Sequence, residues 1–249
     1  MTGLDNSSVI VTGGGSGIGR AAALRFAAEG ARVLVADLDA SRAAAVVEEI
    51  GGAAVAVVGD LGEQAVVDRV VATAVEAFGG VDVLVNNAGI MDGMTATADV
   101  TDEEWDRLIR VNLTAPFRLA RAVVPHMLAK GKGAIVNTAS EAALRGSAAG
   151  TAYTVSKHGV VGLTRSLAIM YRKDGIRTNA IAPGATITGI VANVDPEAHG
   201  PSTLMPYMGN FGRVSEADEQ AAVIVFLASD EASNLNGVVL PVDNGWSAV

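Results

Sequence analysis

Three side chains stand at spacings that suit proton transfer at a reacting oxygen. Tyr153 and Lys157 are four residues apart, so in a helix they lie on one face, one turn apart. A free phenol titrates near ~10, and a cation within roughly 4–6 Å favours the phenolate and lowers that pKa. Ser140 follows an apolar run at residues 134–138 that is typical of a buried strand. These residues predict an acid–base site, although a Tyr and a Lys at this spacing also occur by chance in many helices.

A glycine-rich turn near the amino end indicates that the chain binds a dinucleotide. The turn follows a β-branched run at residues 8–11 and precedes a helical pattern that contains Ala22, Leu24 and Phe26. Glycines let the backbone approach a pyrophosphate, and the N–H groups at the helix N-terminus then face the anion. The turn residues expected to contact the cofactor are Gly13, Ser16, Gly17, Ile18 and Gly19.

The residue after the second predicted strand bears on the choice of cofactor. Asp37 follows the apolar run at residues 32–36, where a carboxylate accepts hydrogen bonds from both ribose hydroxyls and repels a 2′-phosphate. The glycine-rich turn holds Ser16 and has no arginine before Arg20, which also favours NAD over NADP. Arg42 is the nearest cation after Asp37, so NADP is less favoured but stays open. A solvated loop carboxylate is the plainer alternative for Asp37.

Seven strand-like runs alternate with helical patterns along the chain. This alternation predicts an α/β protein, a single-domain Rossmann fold whose doubly wound, seven-stranded parallel sheet has helices on both faces. The sequence contains no linker or repeat, so residues 1–249 are expected to form one dinucleotide-binding and catalytic domain. Ligands of such sheets bind outside the carboxyl ends of the strands. The predicted strands cover residues 8–11, 32–36, 53–58, 81–85, 134–138, 176–181 and 238–242.

Polar and small residues follow several of these strands and are expected to face the cofactor. Asp60 can accept a hydrogen bond from an adenine amino group, or it can cap the helix that begins near Glu63. The adjacent amides Asn86 and Asn87 suit a tight turn against the cofactor. The further cofactor contacts expected at the strand ends are Leu38, Leu61, Asn87, Ala88, Gly89, Pro183, Gly184, Thr186 and Thr188.

A long helix is predicted to begin at Thr101, a good N-cap that is followed by acidic residues at positions 102–104. Asn112 lies inside this helix, although asparagine is a poor helix former. The residue indicates either a helix irregularity with a catalytic or water-holding role, or a plain side chain that faces solvent.

Residues 189–212 are the least regular stretch and the candidate substrate loop. They show no clean period, and their Met and aromatic residues would give an adaptable apolar lining. We expect either a mobile lid over the substrate or a surface loop packed on a partner subunit. Arg145 pairs with a substrate carboxylate or with Glu141, and we favour the second. The candidate substrate contacts are Ser140, Glu141, Leu144, Arg145 and Met205.

Composition excludes several classes of function. The chain of 249 residues has a net charge of −9 and no cysteine, which excludes disulfides, thiolate catalysis and Cys-ligated metals. It has no basic stripe, so nucleic acid is not an expected partner. Its three histidines are not spaced as a metal site, and no metal is expected. No apolar run approaches the roughly 18 residues of a membrane span, and the first residues lack signal-peptide features, so a cytoplasmic protein is expected.

Together these motifs resemble those of the short-chain dehydrogenase/reductase family, in order and over essentially the whole chain. Residues 12–19 (Thr-Gly-x-x-x-Gly-x-Gly) resemble the family's cofactor turn, and residues 86–89 (Asn-Asn-Ala-Gly) resemble its second signature. The family also has counterparts of Arg177, Asn179 and the pair at residues 183–184. Four residues match its catalytic tetrad at the usual spacings, namely Asn112, Ser140, Tyr153 and Lys157.

The resemblance implies a mechanism and an assembly. Tyr153 would be the general acid/base, and Lys157 would lower the pKa of Tyr153 and hold the nicotinamide ribose, so both would also contact the cofactor. Ser140 would polarise the substrate carbonyl, and Asn112 would hold a water that joins Lys157 to bulk solvent. Family members are commonly tetramers, so a homotetramer is expected.

The leading hypothesis is an NAD-dependent oxidoreductase that interconverts a secondary alcohol and a ketone. Residues 138–165 are similar to NAD-dependent reductases of cyclic ketones and diketones within the family. An NADPH-linked 3-oxoacyl thioester reductase is the alternative, and Asp37 and the lack of a basic face for an acidic carrier protein argue against it. A non-catalytic NAD-binding redox sensor is a third possibility, which the intact Ser140, Tyr153 and Lys157 disfavour.

Overall fold

All seven predicted strands are present and form one parallel sheet. The structure, a computed structural model, describes residues 1–190 and 193–248. The strand order is β3-β2-β1-β4-β5-β6-β7, and every neighbouring pair is parallel. The strands are β1 (Ser8–Thr12), β2 (Arg32–Asp37), β3 (Ala54–Val58), β4 (Val83–Asn86), β5 (Gly133–Thr138), β6 (Ile176–Pro183) and β7 (Val239–Val242).

Eight α-helices connect or flank these strands in the part of the chain that the structure describes. They are α1 (Gly17–Ala28), α2 (Ala40–Ile50), α3 (Gln64–Phe78), α4 (Asp102–Ile109), α5 (Ala115–Lys130), α6 (Thr151–Tyr171), α7 (His199–Met208) and α8 (Ala217–Ala228). Within the described residues, no helix is long and apolar enough to cross a membrane.

The sheet buries both of its faces, because successive residues of a strand point to opposite sides. In β1, Val9 and Val11 join a core cluster with Phe26 of α1 and Ile224 of α8. Ile10, which lies between them, joins a second cluster with residues of α3 and α5. The alternation explains why these strands are almost wholly apolar. The predicted Rossmann fold with helices on both faces is confirmed.

The chain reverses its direction of travel across the sheet at β1. From β1 it winds outward through β2 to β3, and it then returns to β4 on the other side of β1 and winds out to β7. A crevice opens at such a switch point beyond the carboxyl ends of the two strands. Thr12 ends β1 beside Asn86, which ends β4, so the glycine-rich turn and the Asn-Asn turn meet there.

Two predicted elements differ in the structure. The long helix from Thr101 is interrupted by a π-helical turn at Arg110–Thr114, which separates α4 from α5. The segment 189–212, predicted to be a loop, contains α7, and residues 191–192 lie outside the described residues. Pro201 and Pro206 within α7 hide its helical pattern in the sequence, because proline is the least favourable helix residue.

Asp60 does not cap α3. Its Oδ1 accepts a hydrogen bond from the N–H of Gly62 at 2.8 Å, and its Oδ2 pairs with Arg110 Nη1 at 2.5 Å. The side chain of Glu63, the residue before α3, makes no capping hydrogen bond within the described chain. The helix-capping alternative for Asp60 is therefore wrong, whereas the adenine contact stays a prediction.

Arg177 of β6 ties the sheet to the carboxyl end of α8. Its guanidinium donates to the carbonyl oxygens of Leu227 at 2.8 Å and Ser229 at 2.9 Å, with longer bonds to those of Ala228 and Leu235. The last carbonyl groups of a helix have no partner inside the helix, so these bonds satisfy them. Arg177 thereby fixes the helix and the segment that leads into β7.

Replacing Arg177 with methionine should lower the free energy of unfolding by about 2–4 kcal/mol, because several carbonyl oxygens lose a charged donor. Urea denaturation followed by circular dichroism measures the change. Arg20→Met is the matched control, since Arg20 makes an exposed ion pair with Glu49, and it should cost less than about 1 kcal/mol. Equal, small losses in the two variants would contradict the structural role of Arg177.

Candidate active site

The π-helical turn points Asn112 into the protein. Asn112 is only 1% exposed. Its Nδ2 donates to the carbonyl oxygen of Ile90 at 2.9 Å, and its Oδ1 accepts from the N–H of the same residue at 2.9 Å. Nδ2 also lies 3.2 Å from the hydroxyl oxygen of Ser156. The helix irregularity predicted at Asn112 is thus present, and the solvent-facing alternative is wrong.

Lys157 is buried at the centre of the site. Its ammonium donates to the carbonyl oxygen of Thr138 at 2.9 Å and lies 5.5 Å from the centroid of the Tyr153 ring. A Cβ atom added at Gly89 would lie 3.4 Å from Lys157 Nζ and 3.3 Å from Asn112 Oδ1, so the Asn-Asn-Ala-Gly turn contacts both. Burial lowers the pKa of Lys157 to about 8, because the charged form loses its hydration.

Tyr153 and Ser140 face each other across the site. The Ser140 hydroxyl lies near enough to the phenol to act on its pKa, and Ser140 Oγ accepts from the N–H of Ala142 at 3.1 Å. Burial raises the pKa of Tyr153 to about 12, while Ser140 acts in the opposite direction and the charge of Asp92 adds to the rise. The lowered pKa expected for Tyr153 is therefore not found, because desolvation of the phenolate outweighs the favourable effect of Ser140.

The glycine-rich turn has the shape of a phosphate cradle. Gly13 and Gly17 have φ angles of 60° and 51°, which favour glycine. A Cβ atom added at Gly19 would lie 2.1 Å from the carbonyl oxygen of Gly13. In the described chain, Ser16 precedes α1 without making a side-chain capping bond. The first N–H groups of α1, which include Ile18, are thus left for an anion, and the turn fits a dinucleotide's pyrophosphate.

Thr12 joins the glycine-rich turn to the Asn-Asn turn. Its Oγ1 accepts hydrogen bonds from the N–H groups of Asn87 at 2.9 Å and Ala88 at 3.0 Å. The side-chain amide of Asn87 donates to the carbonyl oxygen of Thr12 at 3.0 Å. The two predicted cofactor turns therefore form one hydrogen-bonded unit, which the sequence had shown only as two separate motifs.

Asp37 lies at the edge of the same turn. Its Oδ2 accepts from the N–H of Gly15 at 2.8 Å and its Oδ1 from the N–H of Asp39 at 2.9 Å. Arg42 is paired with Asp39 at 3.3 Å, and Leu38 is 73% exposed. The carboxylate is thus held beside the turn, while the nearest cation is directed to another acid.

The segment after β6 reaches the cofactor turn from the other side. A Cβ atom added at Gly17 would lie 3.2 Å from Thr188 Cβ. Thr186 Oγ1 bonds to the carbonyl oxygen of Gly184 at 3.1 Å and to Ser215 Oγ at 2.9 Å. Of the predicted residues after β6, Thr188 is therefore placed against the turn, whereas the Thr186 side chain is engaged within its own loop.

The predicted substrate contacts divide into two groups. Leu144 and Met205 are 40% and 53% exposed and are available to a ligand. Glu141 is 1% exposed; it pairs with Arg145, whose Nε lies 3.0 Å from Glu141 Oε2, and it contacts Asp243. The expected Arg145–Glu141 pair is thus present. Glu141 is buried between Arg145 and Asp243 and interacts with these residues of the protein itself.

The carboxyl-terminal segment contributes an apolar residue that sequence analysis missed. Trp246 is 6% exposed and belongs to the same apolar cluster as Tyr153. Its ring lies 5.9 Å from the Arg145 guanidinium and makes an edge contact with Phe211 at 6.1 Å between centroids. No local motif marks Trp246, because it is 93 positions from Tyr153 in the sequence and the two residues come together only in the folded chain.

In residues 1–190 and 193–248, no group of three or more acidic or histidine side chains could hold a metal ion. The site therefore consists of a phosphate cradle, a buried cation, a phenol and a hydroxyl. This combination, on a doubly wound sheet, defines an oxidoreductase that uses a nicotinamide dinucleotide.

Comparison with known proteins agrees with this class. The family model for short chain dehydrogenases matches residues 7–199, and the chain belongs to that family. It is 41% identical to a short-chain dehydrogenase/reductase of Penicillium canescens over 99% of this chain and 98% of that protein. It is also 41% identical to levodione reductase of Leifsonia aquatica, over 96% of this chain and 94% of that protein.

Two solved structures show the same fold. The crystal structure of levodione reductase has a TM-score of 0.88 and 40% identity, over 98% of this chain and 99% of that one. The structure of a 3-ketoacyl-(acyl-carrier-protein) reductase from Brucella melitensis, complexed with NADH, has a TM-score of 0.89 and 36% identity, over 98% of this chain and 99% of that one.

The burial of Glu141 makes stability depend on pH. Burial raises the pKa of Glu141 to about 7 from an ordinary value of 4.5, Asp243 adds to the rise, and the smaller effect of the Arg145 charge opposes it. Burial alone would raise the pKa of Asp243, but hydrogen bonds from Ser247 and Glu141 lower it. The folded protein therefore keeps a proton on Glu141 that the unfolded chain releases, and stability falls as the pH rises through that interval.

Glu141→Gln should remove this loss. Between about pH 5 and pH 8 the free energy of unfolding of the parent should fall relative to that of the variant by on the order of 2 kcal/mol. Urea denaturation at several pH values measures the difference. Glu76→Gln, on the exposed face of α3, is the control for lost charge and should follow the parent. Parallel curves for all three proteins would contradict the protonated state of Glu141.

Proposed function

We propose that this protein is an NAD-dependent oxidoreductase that interconverts a secondary alcohol and a ketone, with Tyr153 as general acid/base. The observation that carries the proposal is the meeting of the Tyr153 phenol and the Ser140 hydroxyl beside the buried ammonium of Lys157, whose Nζ lies 5.5 Å from the centroid of the Tyr153 ring. Two hydroxyl groups that meet in this way can bond to one substrate oxygen. The likeness to a levodione reductase and a 3-ketoacyl reductase supports a carbonyl substrate.

The protonation state of Tyr153 near neutral pH suits ketone reduction. Since burial raises the pKa of Tyr153 to about 12, the phenol holds its proton and can donate it to a substrate oxygen. Ser140 orients and polarises that oxygen. Lys157 and Asn112 lie behind Tyr153 and supply the route by which the phenol is reprotonated. The bound nicotinamide dinucleotide supplies or accepts the hydride.

Alcohol oxidation runs the same steps in reverse and requires the Tyr153 phenolate. We therefore infer that oxidation is favoured at alkaline pH. The ammonium of Lys157 assists it, because a nearby cation favours the phenolate. In this proposal Lys157 also bonds to the nicotinamide ribose, and Asn112 holds a water between Lys157 and solvent.

NAD is the preferred cofactor in this proposal. Asp37 is held beside the glycine-rich turn by two N–H groups, where its charge would repel a 2′-phosphate. Arg42, the cation that would attract that phosphate, is paired with Asp39. In this proposal the remaining contacts come from the ends of two other strands: Asp60 and Leu61, which follow β3, would contact the adenine, and Pro183 to Thr188, at the end of β6, would contact the nicotinamide.

The substrate is inferred to be a small, mostly apolar ketone or alcohol. The cluster around Tyr153 is apolar and includes Met91, Met208, Phe211 and Trp246. The 3-oxoacyl thioester reductase remains the alternative because a structural neighbour is a 3-ketoacyl-(acyl-carrier-protein) reductase. A net charge of −9 disfavours an acidic carrier protein as partner.

We further propose that residues 1–249 act as one domain of a cytoplasmic homotetramer. Large apolar side chains on α5 and α6 are exposed in the single chain, and a subunit contact would bury them. They are Phe117, Leu128, Val155, Ile169 and Met170.

Tyr153→Phe should lower kcat by about 10²–10⁴-fold, because the variant keeps the ring and loses the acid–base group. Formation of NADH from NAD and a panel of secondary alcohols at mildly alkaline pH measures it. Tyr171→Phe is the matched control, since Tyr171 lies at the opposite end of α6 from Tyr153, and it should leave kcat unchanged. Undiminished turnover by Tyr153→Phe would refute the mechanism, and a parent that binds NADH but turns over no ketone or alcohol would favour the redox sensor.

Asp37→Ala should raise KM for NAD and reduce the preference for NAD over NADP, each by roughly tenfold or more, because two ribose hydroxyls lose their acceptor and the 2′-phosphate loses its repulsion. Steady-state kinetics with both cofactors measure the ratio. Asp68→Ala on the exposed side of α3 removes the same charge and should preserve the ratio. A preference for NADP in the parent would overturn the assignment of NAD.

A further inference from the structure

The loop at residues 92–97, here called the bridging segment, lies against the first turn of α6. Asp92, its first residue, is 2% exposed. Asp92 Oδ1 accepts from the N–H of Gly150 at 3.1 Å, and Oδ2 accepts from the N–H of Tyr153 at 3.0 Å. The first N–H groups of a helix have no partner inside it. Asp92 therefore caps α6 from a distant part of the chain.

Further bonds fix the bridging segment to the same turn. The N–H of Thr151 donates to the carbonyl oxygen of Thr95 at 3.0 Å, and the hydroxyl oxygens of Thr97 and Thr151 lie 2.9 Å apart. A Cβ atom added at Gly150 would lie 2.6 Å from Asp92 Oδ2. The carboxylate can approach the helix only because residue 150 has no side chain.

Asp92 also holds its own segment in shape. Its Oδ1 accepts from the N–H of Met94 at 3.0 Å. Met94 has a φ of 61°, which is uncommon for a residue other than glycine. The carbonyl oxygen of Met94 faces α7, where a Cβ atom added at Gly200 would lie 2.0 Å from it. Asp92 thus links α6, which carries Tyr153, to α7, which lies within the candidate substrate loop.

We propose that Asp92 is a positioning residue for Tyr153. The proposal rests on the oxidoreductase function inferred above. Tyr153 sits in the first turn of α6, where a helix frays unless its N–H groups are satisfied. Ser140, its hydroxyl partner, is carried by a different element, the turn after β5. By holding the backbone of the first turn of α6, Asp92 keeps the Tyr153 phenol in position opposite Ser140. Asp92 itself does not contact the substrate in this proposal.

The charges around Tyr153 agree with a carboxylate at this position. Lys157 Nζ lies 5.5 Å from the centroid of the Tyr153 ring, the charge of Asp92 raises the pKa of the phenol, and Glu141 is paired with Arg145. A negative charge at a helix N-terminus is favourable because the helix dipole is positive there. The same charge opposes formation of the phenolate and so favours the protonated phenol that ketone reduction requires.

Three variants and the parent test this role. Asp92→Ala removes all three accepted bonds, and Asp92→Asn keeps the shape and one acceptor oxygen. Thr101→Ala is the matched control, because Thr101 Oγ1 makes the same kind of bond to the N–H of Glu104 at the start of α4, at 3.1 Å. The measurements are kcat and KM for the best substrate and for NAD, the melting temperature, and amide hydrogen exchange of residues 148–155.

In Asp92→Ala we expect kcat to fall on the order of 10- to 100-fold, because a misplaced reacting group costs rate far more than binding. KM for NAD should stay within about twofold, because the cofactor turn is built from other elements. Asp92→Asn should recover part of kcat. Thr101→Ala should lower the melting temperature comparably and retain kcat, so global destabilisation alone would not mimic the result.

Three outcomes would overturn the proposal. The first is an unchanged kcat in Asp92→Ala, and the second is an equal loss of kcat in Thr101→Ala. The third is unchanged amide protection of Gly150 and Tyr153 in Asp92→Ala. If Asp92→Ala does not fold, the same comparisons apply to Asp92→Asn. The hydrogen-exchange measurement needs no substrate, so it tests the cap at the start of α6 even if the parent turns over no alcohol or ketone. Such a lack of turnover would count against the proposed function and not against the cap.

Discussion

The buried ammonium of Lys157 is the group on which the site depends. A charge that is 3% exposed must be paired or hydrogen-bonded, and Lys157 meets this demand through the carbonyl oxygen of Thr138 at the end of β5. That bond joins α6, the helix that carries Tyr153, to the end of β5. The Asn-Asn-Ala-Gly turn lies nearby, since a Cβ atom added at Gly89 would lie 3.4 Å from Lys157 Nζ and 3.3 Å from Asn112 Oδ1. The solvation of one buried cation thus connects α6 to the sheet.

Burial acts in the same sense on three titratable groups of the site. It raises the pKa of Tyr153 and of Glu141 and lowers the pKa of Lys157, so each of these three groups is pushed toward its neutral form. A neutral phenol is a proton donor. A lysine with a pKa of about 8 can exchange a proton at moderate pH. The low polarity that stabilises the fold thereby also prepares the site for acid–base chemistry.

Contacts distant in sequence complete this arrangement. Asp92 reaches α6 across 58 and 61 positions to Gly150 and Tyr153. Trp246 joins the cluster around Tyr153 from the carboxyl-terminal segment. Both residues lie outside the glycine, amide and tetrad motifs. Asp92 belongs to the bridging segment and Trp246 packs against Phe211, shortly after α7, so residues around the candidate substrate loop also contact the elements that hold Tyr153.

The sequence by itself determined the alternation of strands and helices and the positions of the glycine-rich, Asn-Asn-Ala-Gly and Tyr-x-x-x-Lys motifs, because these depend on local periodicity and short spacings. It also indicated the irregularity at Asn112, since asparagine disfavours a helix. The tertiary structure alone decided the pairing of Asp60 with Arg110, the helix α7 hidden by its prolines, and the elevated pKa of Tyr153. Each of these results from burial or from contacts between residues far apart in the chain, and neither quantity can be obtained from local pattern.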